Sequence, residues 1–144
     1  MILIDVNVLV YAHRKDAQDH SAYRNWLEGV LSSDPVYGMS DHVLSGVIRQ
    51  LTHPKIFLKP SSLDEAFGFA RYVRFRPNCA LISPGPRHWE IFERLSRAVN
   101  ARGNLVPDAY FAALAVEHDC EWISADRDFA RFPNLRWRHP LGRP

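Results

Sequence analysis

Apolar positions along the chain follow two rhythms, short unbroken runs and stripes at helical spacing. Ile2, Leu3 and Ile4 form a run too short for a helix and bounded by Asp5, which predicts a buried parallel strand over Ile2 to Asp5. Val6 to Ala12 is apolar except for Asn7 and predicts a first helix ending near His13. Tyr23, Trp26, Leu27, Val30 and Leu31 recur at i, i+3, i+4, i+7 and i+8, the stripe of an amphipathic helix facing a core. Val36 to Met39 predicts a second strand. The next helix begins at Ser40 or Asp41, both good N-caps, with Val43, Leu44, Val47, Ile48 and Leu51 on its apolar side. Its other face carries Asp41, His42, Ser45, Gly46, Arg49 and His53.

Further along, Ser62 with Glu65 is a capping-box signature ahead of Ala66, Phe69, Ala70 and Val73. Ala80 to Ser83 predicts a third strand, and a helix follows from about His88 to Arg102 with Ile91, Phe92, Leu95, Ala98 and Val99 inward. A helix with Pro107 at its first position and Asp108 beside it runs through Val116. A strand over Glu121 to Ser124 then leads to Asp126, Arg127 and Asp128. Leu135 to Arg138 predicts a last strand, and His139 to Pro144 a short tail. Strands alternating with helices imply right-handed crossovers and a mainly parallel sheet covered on both faces. The expectation is a single α/β/α sandwich, one domain spanning residues 1–144.

Composition narrows the function classes. A hydrophobic share of 47% with 24% charged residues is ordinary for a globular protein. No apolar run approaches the ~20 residues of a membrane-spanning helix, and no basic segment precedes the N-terminal run, so no signal peptide is expected and the chain is placed in the cytoplasm. Cys79 and Cys120 have no metal-ligand spacing and fit a reducing compartment as small buried hydrophobes. Three lysines stand against fifteen arginines. Arginine's planar fork binds phosphate oxygens bidentately, which suits a nucleic-acid partner, although a compositional bias gives the same count. The chain has no Walker loop, G-x-S-x-G, G-x-G-x-x-G or H-E-x-x-H, and its histidines are scattered.

The carboxylates carry the chemical signal. Asp5 and Asp126 each follow a predicted strand, and Asp108 lies at a helix mouth, where a carboxylate meets the positive end of the dipole. In open α/β sheets ligands bind outside the carboxyl ends of the strands. Grouped carboxylates repel one another, and a hard divalent cation relieves that repulsion. Metal-assisted phosphodiester cleavage is the chemistry that best uses such a cluster.

The segments ILIDVNVLVYA, VLSGVIRQLTHPKIF and VPDAYFAALAVEHDCEWISADRDFARFPNLRW resemble, in order and over nearly the whole chain, a PIN domain of the VapC group of toxin ribonucleases. The resemblance implies a Mg²⁺- or Mn²⁺-dependent endoribonuclease of a toxin–antitoxin pair, with Asp5, Asp108 and Asp126 as catalytic metal ligands and Asp128 close behind. Asn7 matches the polar residue that commonly follows the first aspartate. Implied partners are a small VapB-like antitoxin, an RNA substrate (tRNA, rRNA or mRNA) and a second copy of the chain. One position departs from the pattern, because Gly46 stands where most relatives place a glutamate, three residues before Arg49. Asp41 or a water held by Ser45 could stand in for it, and Arg49 could contact phosphate. An alternative is a catalytically weakened module that binds RNA or a protein partner. A haloacid-dehalogenase-like phosphatase would need an acid where the chain has Asn7.

Overall fold

The apolar run Ile2–Ile4 forms β1, the central strand of a five-stranded sheet in the computed structural model, which describes residues 1–143. Pro144, the last residue of the expected tail, lies outside the described residues. The other strands are β2 (Tyr37–Met39), β3 (Cys79–Leu81), β4 (Glu121–Ile123) and β5 (Arg136–Arg138), in the order β3-β2-β1-β4-β5. Every pairing is parallel. Six α-helices flank the sheet: α1 (Val6–His13), α2 (His20–Ser32), α3 (Asp41–Leu51), α4 (Leu63–Arg74), α5 (His88–Ala98) and α6 (Leu105–Glu117). A 3₁₀ turn spans Arg127–Arg131. The expected α/β/α architecture is therefore present.

The strand order places the site. From β1 the chain moves outward through β2 to β3, then returns to the other side of β1 as β4 and moves outward again to β5. The direction of winding reverses between β1 and β4, so connections leave those two strands to opposite sides and open a crevice at their carboxyl ends. Asp5 follows β1 and Asp126 follows β4, and both stand at that reversal.

Local chemistry explains where elements end. Each strand is one residue shorter than expected, and β3 also begins one residue earlier, at Cys79, and ends at Leu81. At β1 the shortening arises because Asp5 turns out of the run to cap α1, its carboxylate accepting the Val6 N–H at 2.7 Å. Ser40 caps α3 through the His42 N–H at 3.2 Å, and Ser62 caps α4 through the Glu65 N–H at 3.1 Å. The expected extension of α5 to Arg102 does not occur. Asn100 adopts a left-handed conformation (φ 49°), while its N–H reaches Arg97 O at 3.1 Å and the Ala101 N–H reaches Ser96 O at 2.8 Å, a Schellman ending. Ala98 is consequently exposed rather than inward. Helix α6 starts two residues earlier than expected, so Pro107 is its third residue. Proline is tolerated there because the first four N–H groups of a helix have no intrahelical partner. Asp108 remains in the first turn.

The core is continuous around the sheet. Trp122, Tyr37 and Phe129 are its largest fully buried side chains, joined by Leu3, Ile4, Leu9, Leu27 and Leu95. Helix α1 packs on α2 and α3, α3 on α4, and α5 on α6. Tyr23, Leu27 and Leu31 of the α2 stripe are buried, and Trp26 and Val30 pack against them. Cys120 is buried and Cys79 half-buried.

Candidate active site

Asp5 is the anchor of the crevice. It is only 6% exposed, and both carboxylate oxygens are engaged. Oδ1 accepts the Val6 N–H, while Oδ2 accepts the Ser124 hydroxyl at 2.6 Å and the Asn7 side-chain amide at 3.1 Å. Ser124, fully buried at the end of β4, has no hydrogen-bonding capacity left over. Its one hydrogen goes to Asp5, and its oxygen accepts from Asn7 Nδ2 at 3.1 Å and from the Asp126 N–H at 3.0 Å. Asn7 uses its other end as well, Oδ1 accepting the Ala125 N–H at 3.1 Å. This network ties the end of β1 to the end of β4 and fixes Asp5 in one orientation.

Asp126 caps the 3₁₀ turn, accepting the Asp128 N–H at 2.9 Å on Oδ1. With Asp108 and Asp128 it lines a cleft of about 580 Å³, whose other lining includes Asn100, Asn104, Arg102 and Arg131. Asp5 does not line this cleft, yet its carboxyl senses the charges of Asp108 and Asp126. Burial, with those two charges adding to it, raises the Asp5 pKa to about 7 in spite of the Ser124 and Val6 hydrogen bonds that favour the ionised form. Burial also raises Asp108, to about 6, with Asp126 and Asp128 contributing.

These carboxylates suit a hard cation. They are oxygen donors that repel one another, and among the described residues no lysine or arginine forms an ion pair with Asp5, Asp108, Asp126 or Asp128. Among the described residues no group of three or more histidine, cysteine, aspartate or glutamate side chains is placed to hold a cation as a three-ligand cage. Mg²⁺ does not require one, since it keeps several waters and is often bound through only one or two carboxylates.

The supporting residues expected from sequence divide. Asn7 is in the network. Asp41 is not free: Arg74 Nε and Nη2 donate to its two oxygens at 2.8 and 3.1 Å, and that contact holds its carboxyl below the usual range. Asp41 and Ser45 line a separate groove of about 340 Å³ between α3 and α4, with Arg71 and Arg74. Arg49 is exposed in the last turn of α3. Gly46 has a packing reason for lacking a side chain. A Cβ there would lie 2.9 Å from Val6 Cγ2, so α3 approaches α1 through this glycine, directly after Asp5. The valine is β-branched and stiff on its helix, so a side chain at this position would force it to shift.

Sequence reasoning missed Ser124, Arg102 and Arg131. Ser124 had a signal, a hydroxyl closing an apolar strand two residues before an aspartate. The two arginines are brought to the cleft by the turns flanking α6 and by the 3₁₀ segment, and nothing in their spacing marks them.

Known proteins resemble this chain over nearly its whole length. The PIN domain family model matches residues 2–135. Ribonuclease VapC43 of Mycobacterium tuberculosis is 45% identical over 141 residues, which cover 98% of this chain and 96% of that protein. Ribonuclease VapC25 of the same organism is 41% identical over 140 residues, covering 97% and 99%. Among solved structures, VapBC2 of Rickettsia felis, bound to a DNA fragment from its promoter, superposes with a TM-score of 0.71 at 19% identity, over 96% of this chain and 98% of that one. With its reversal point, its carboxylates and these relatives, the chain belongs to the PIN domain family and, within it, to the VapC ribonucleases.

Proposed function

We propose that this protein is the toxin of a type II toxin–antitoxin pair and an endoribonuclease that depends on Mg²⁺ or Mn²⁺. The observation that carries the reading is the buried, hydrogen-bonded Asp5 beside Asp108 and Asp126, with no lysine or arginine among the described residues paired to any of them. A cation held by Asp5, Asp108 and Asp126, with Asp128 at the rim, would supply a water of lowered pKa and offset charge on the phosphate oxygens.

The chain's own groups account for the rest. Ser124, Asn7 and the Val6 N–H hold the Asp5 carboxylate in one orientation, so no reorganisation is needed at that ligand. Arg102 and Arg131 share the cleft with the carboxylates and would bind the phosphates of the RNA on either side of the broken bond. A side chain at position 46 would have to displace Val6, and the ligand set is read here as the aspartates alone, without the glutamate that the resemblance implies.

A VapB-like antitoxin is the expected partner, since the Rickettsia felis neighbour is itself a VapBC assembly. A homodimer or a toxin–antitoxin hetero-oligomer in the cytoplasm completes the reading. No helix among the described residues is long and apolar enough to cross a membrane. Incubation of purified, partner-free protein with total RNA in Mg²⁺, Mn²⁺ or EDTA tests the cation requirement. Discrete fragments with either metal, lost in EDTA and restored by excess Mn²⁺, are expected. Equal cleavage in EDTA contradicts it.

A further inference from the structure

Another cavity, of about 310 Å³, has Ala125 in its wall. It is assembled from distant parts of the chain: Tyr11 of α1, Gln18 and Asp19 of the following loop, Tyr23 of α2, and His139 and Arg143 of the tail beyond β5. The tail is anchored there. His139 is 8% exposed, and its Nδ1 accepts the Leu141 N–H at 3.1 Å. That bond assigns Nδ1 as the bare nitrogen and directs Nε2–H at the Tyr23 hydroxyl, 3.5 Å away. The Tyr23 oxygen then acts as acceptor and keeps its own hydrogen to donate. Arg143 Nη1 donates to Asp19 Oδ2 at 2.8 Å, closing the rim across 124 residues of sequence. Asp19 itself is left-handed (φ 59°), a conformation that aspartate tolerates.

This cavity adjoins the carboxylate cleft. Asp126 lines the cleft and Ala125 the cavity, and consecutive Cα atoms are about 3.8 Å apart. Asn7 binds the Ala125 N–H, and Tyr11 lies one helical turn beyond Asn7 on the same face of α1. The cavity and the cleft thus share a stretch of wall, so a group seated in one would have the other within reach of the same nucleotide chain.

Its lining fits a planar, uncharged heterocycle. The Tyr11 ring is 37% exposed and is held edge-to-face against Tyr23, with centroids 5.2 Å apart. Proteins seize unpaired RNA bases by stacking them on aromatic rings and hydrogen-bonding their edges. Arg143 is neutralised by Asp19, which disfavours a phosphate here. The remaining guanidinium N–H groups and the Tyr23 hydroxyl donate, the Gln18 amide does both and the second Asp19 oxygen accepts, and guanine presents the matching acceptors, O6 and N7, with an N2 amino donor.

We propose that this cavity is a nucleobase subsite of the cleavage site, taking one unpaired base, guanine in preference, from a nucleotide adjoining the scissile phosphate. Tyr11 is its stacking face, and Gln18 and Arg143 read the edge of the base. The assignment rests on the RNA-cleaving reading above.

The test uses binding, so that it does not depend on turnover. Asp5→Asn protein is titrated with short single-stranded RNAs, each lacking the base at one position, and anisotropy gives the affinity. Loss of one particular base is expected to weaken binding about tenfold, and Tyr11→Ala to weaken the intact RNA by about as much, the scale of one lost stacking contact. The two losses should not add, and Gln18→Ala should flatten the preference for guanine at that position. Tyr11 and Gln18 are both exposed, so neither change threatens the fold. Full additivity at every position, or an affinity indifferent to Tyr11→Ala, overturns the proposal, as does absence of RNA binding. Failure of the nuclease reading shows separately, as intact RNA under native protein with metal, and leaves this binding readout standing.

Discussion

Ser124 decides how Asp5 behaves. Its hydroxyl gives its only hydrogen to Asp5 and accepts from Asn7 and from the Asp126 backbone, so the residue serves three others at once. Ser124→Ala leaves the Asp126 N–H and one Asn7 amide hydrogen without a partner in a buried setting, and Asp5 Oδ2 with Asn7 as its only donor. The expected cost is about 1–3 kcal/mol of stability, read by urea denaturation. If Asp5 holds the cation as proposed, loss of its orienting partner should also lower RNA cleavage by about 10–100-fold. A variant as active and as stable as the parent would show that the network does not position Asp5. At this scale the sequence was legible where a polar residue interrupts or ends an apolar run, as Asp5, Asn7, Asp108 and Asp126 do. Ser124 was not read, because serine at a strand end is commonplace and its importance comes from Asp5, 119 residues away. Asp41 was open to two readings, and the choice between them was made by Arg74, which reaches it from α4 across 33 residues.

Among the elements, the reversal between β1 and β4 brings like charges together, and this has a measurable consequence. Asp5 and Asp108 have folded pKa values of about 7 and about 6, each above the ordinary 3.8. Between the unfolded and folded values, the native state binds more protons than the unfolded one, so stability falls as pH rises. Metal-free protein should therefore lose thermal stability from about pH 4 up to about pH 7, with Asp5→Asn removing the upper part of the trend. Mn²⁺ should restore stability at neutral pH in the parent by mass action and do much less in Asp5→Asn. Melting curves at several pH values check both, and a parent that gains stability steadily over this range would contradict the electrostatic account. Element types were legible from periodicity, while element ends were less so. Helix α5 stops at Ala98 because Asn100 turns left-handed, and α6 starts at Leu105, ahead of Pro107, choices set by backbone hydrogen bonds and not by the apolar pattern.

For the molecule as a whole, the first and last segments of the chain meet at the carboxyl ends of β1 and β4, and the proposed function depends on that meeting. The alternation of strands and helices announced a parallel α/β/α architecture, but the two cavities lined by Ala125 and by Asp126 were invisible in sequence, since each draws residues from remote segments. The tail from His139, read from sequence as a simple extension, closes one of them. The central claim is that Asp5, Asp108 and Asp126 together make this fold a metal-dependent ribonuclease. It is met most directly by initial rates of RNA cleavage in Mn²⁺ for the parent, Asp5→Asn and Asp108→Asn, each first shown to be folded by circular dichroism. Loss of activity by about a thousandfold in either variant, the scale of removing groups that work as a unit, is the predicted result. Cleavage that persists at the parental rate after either substitution would contradict the account.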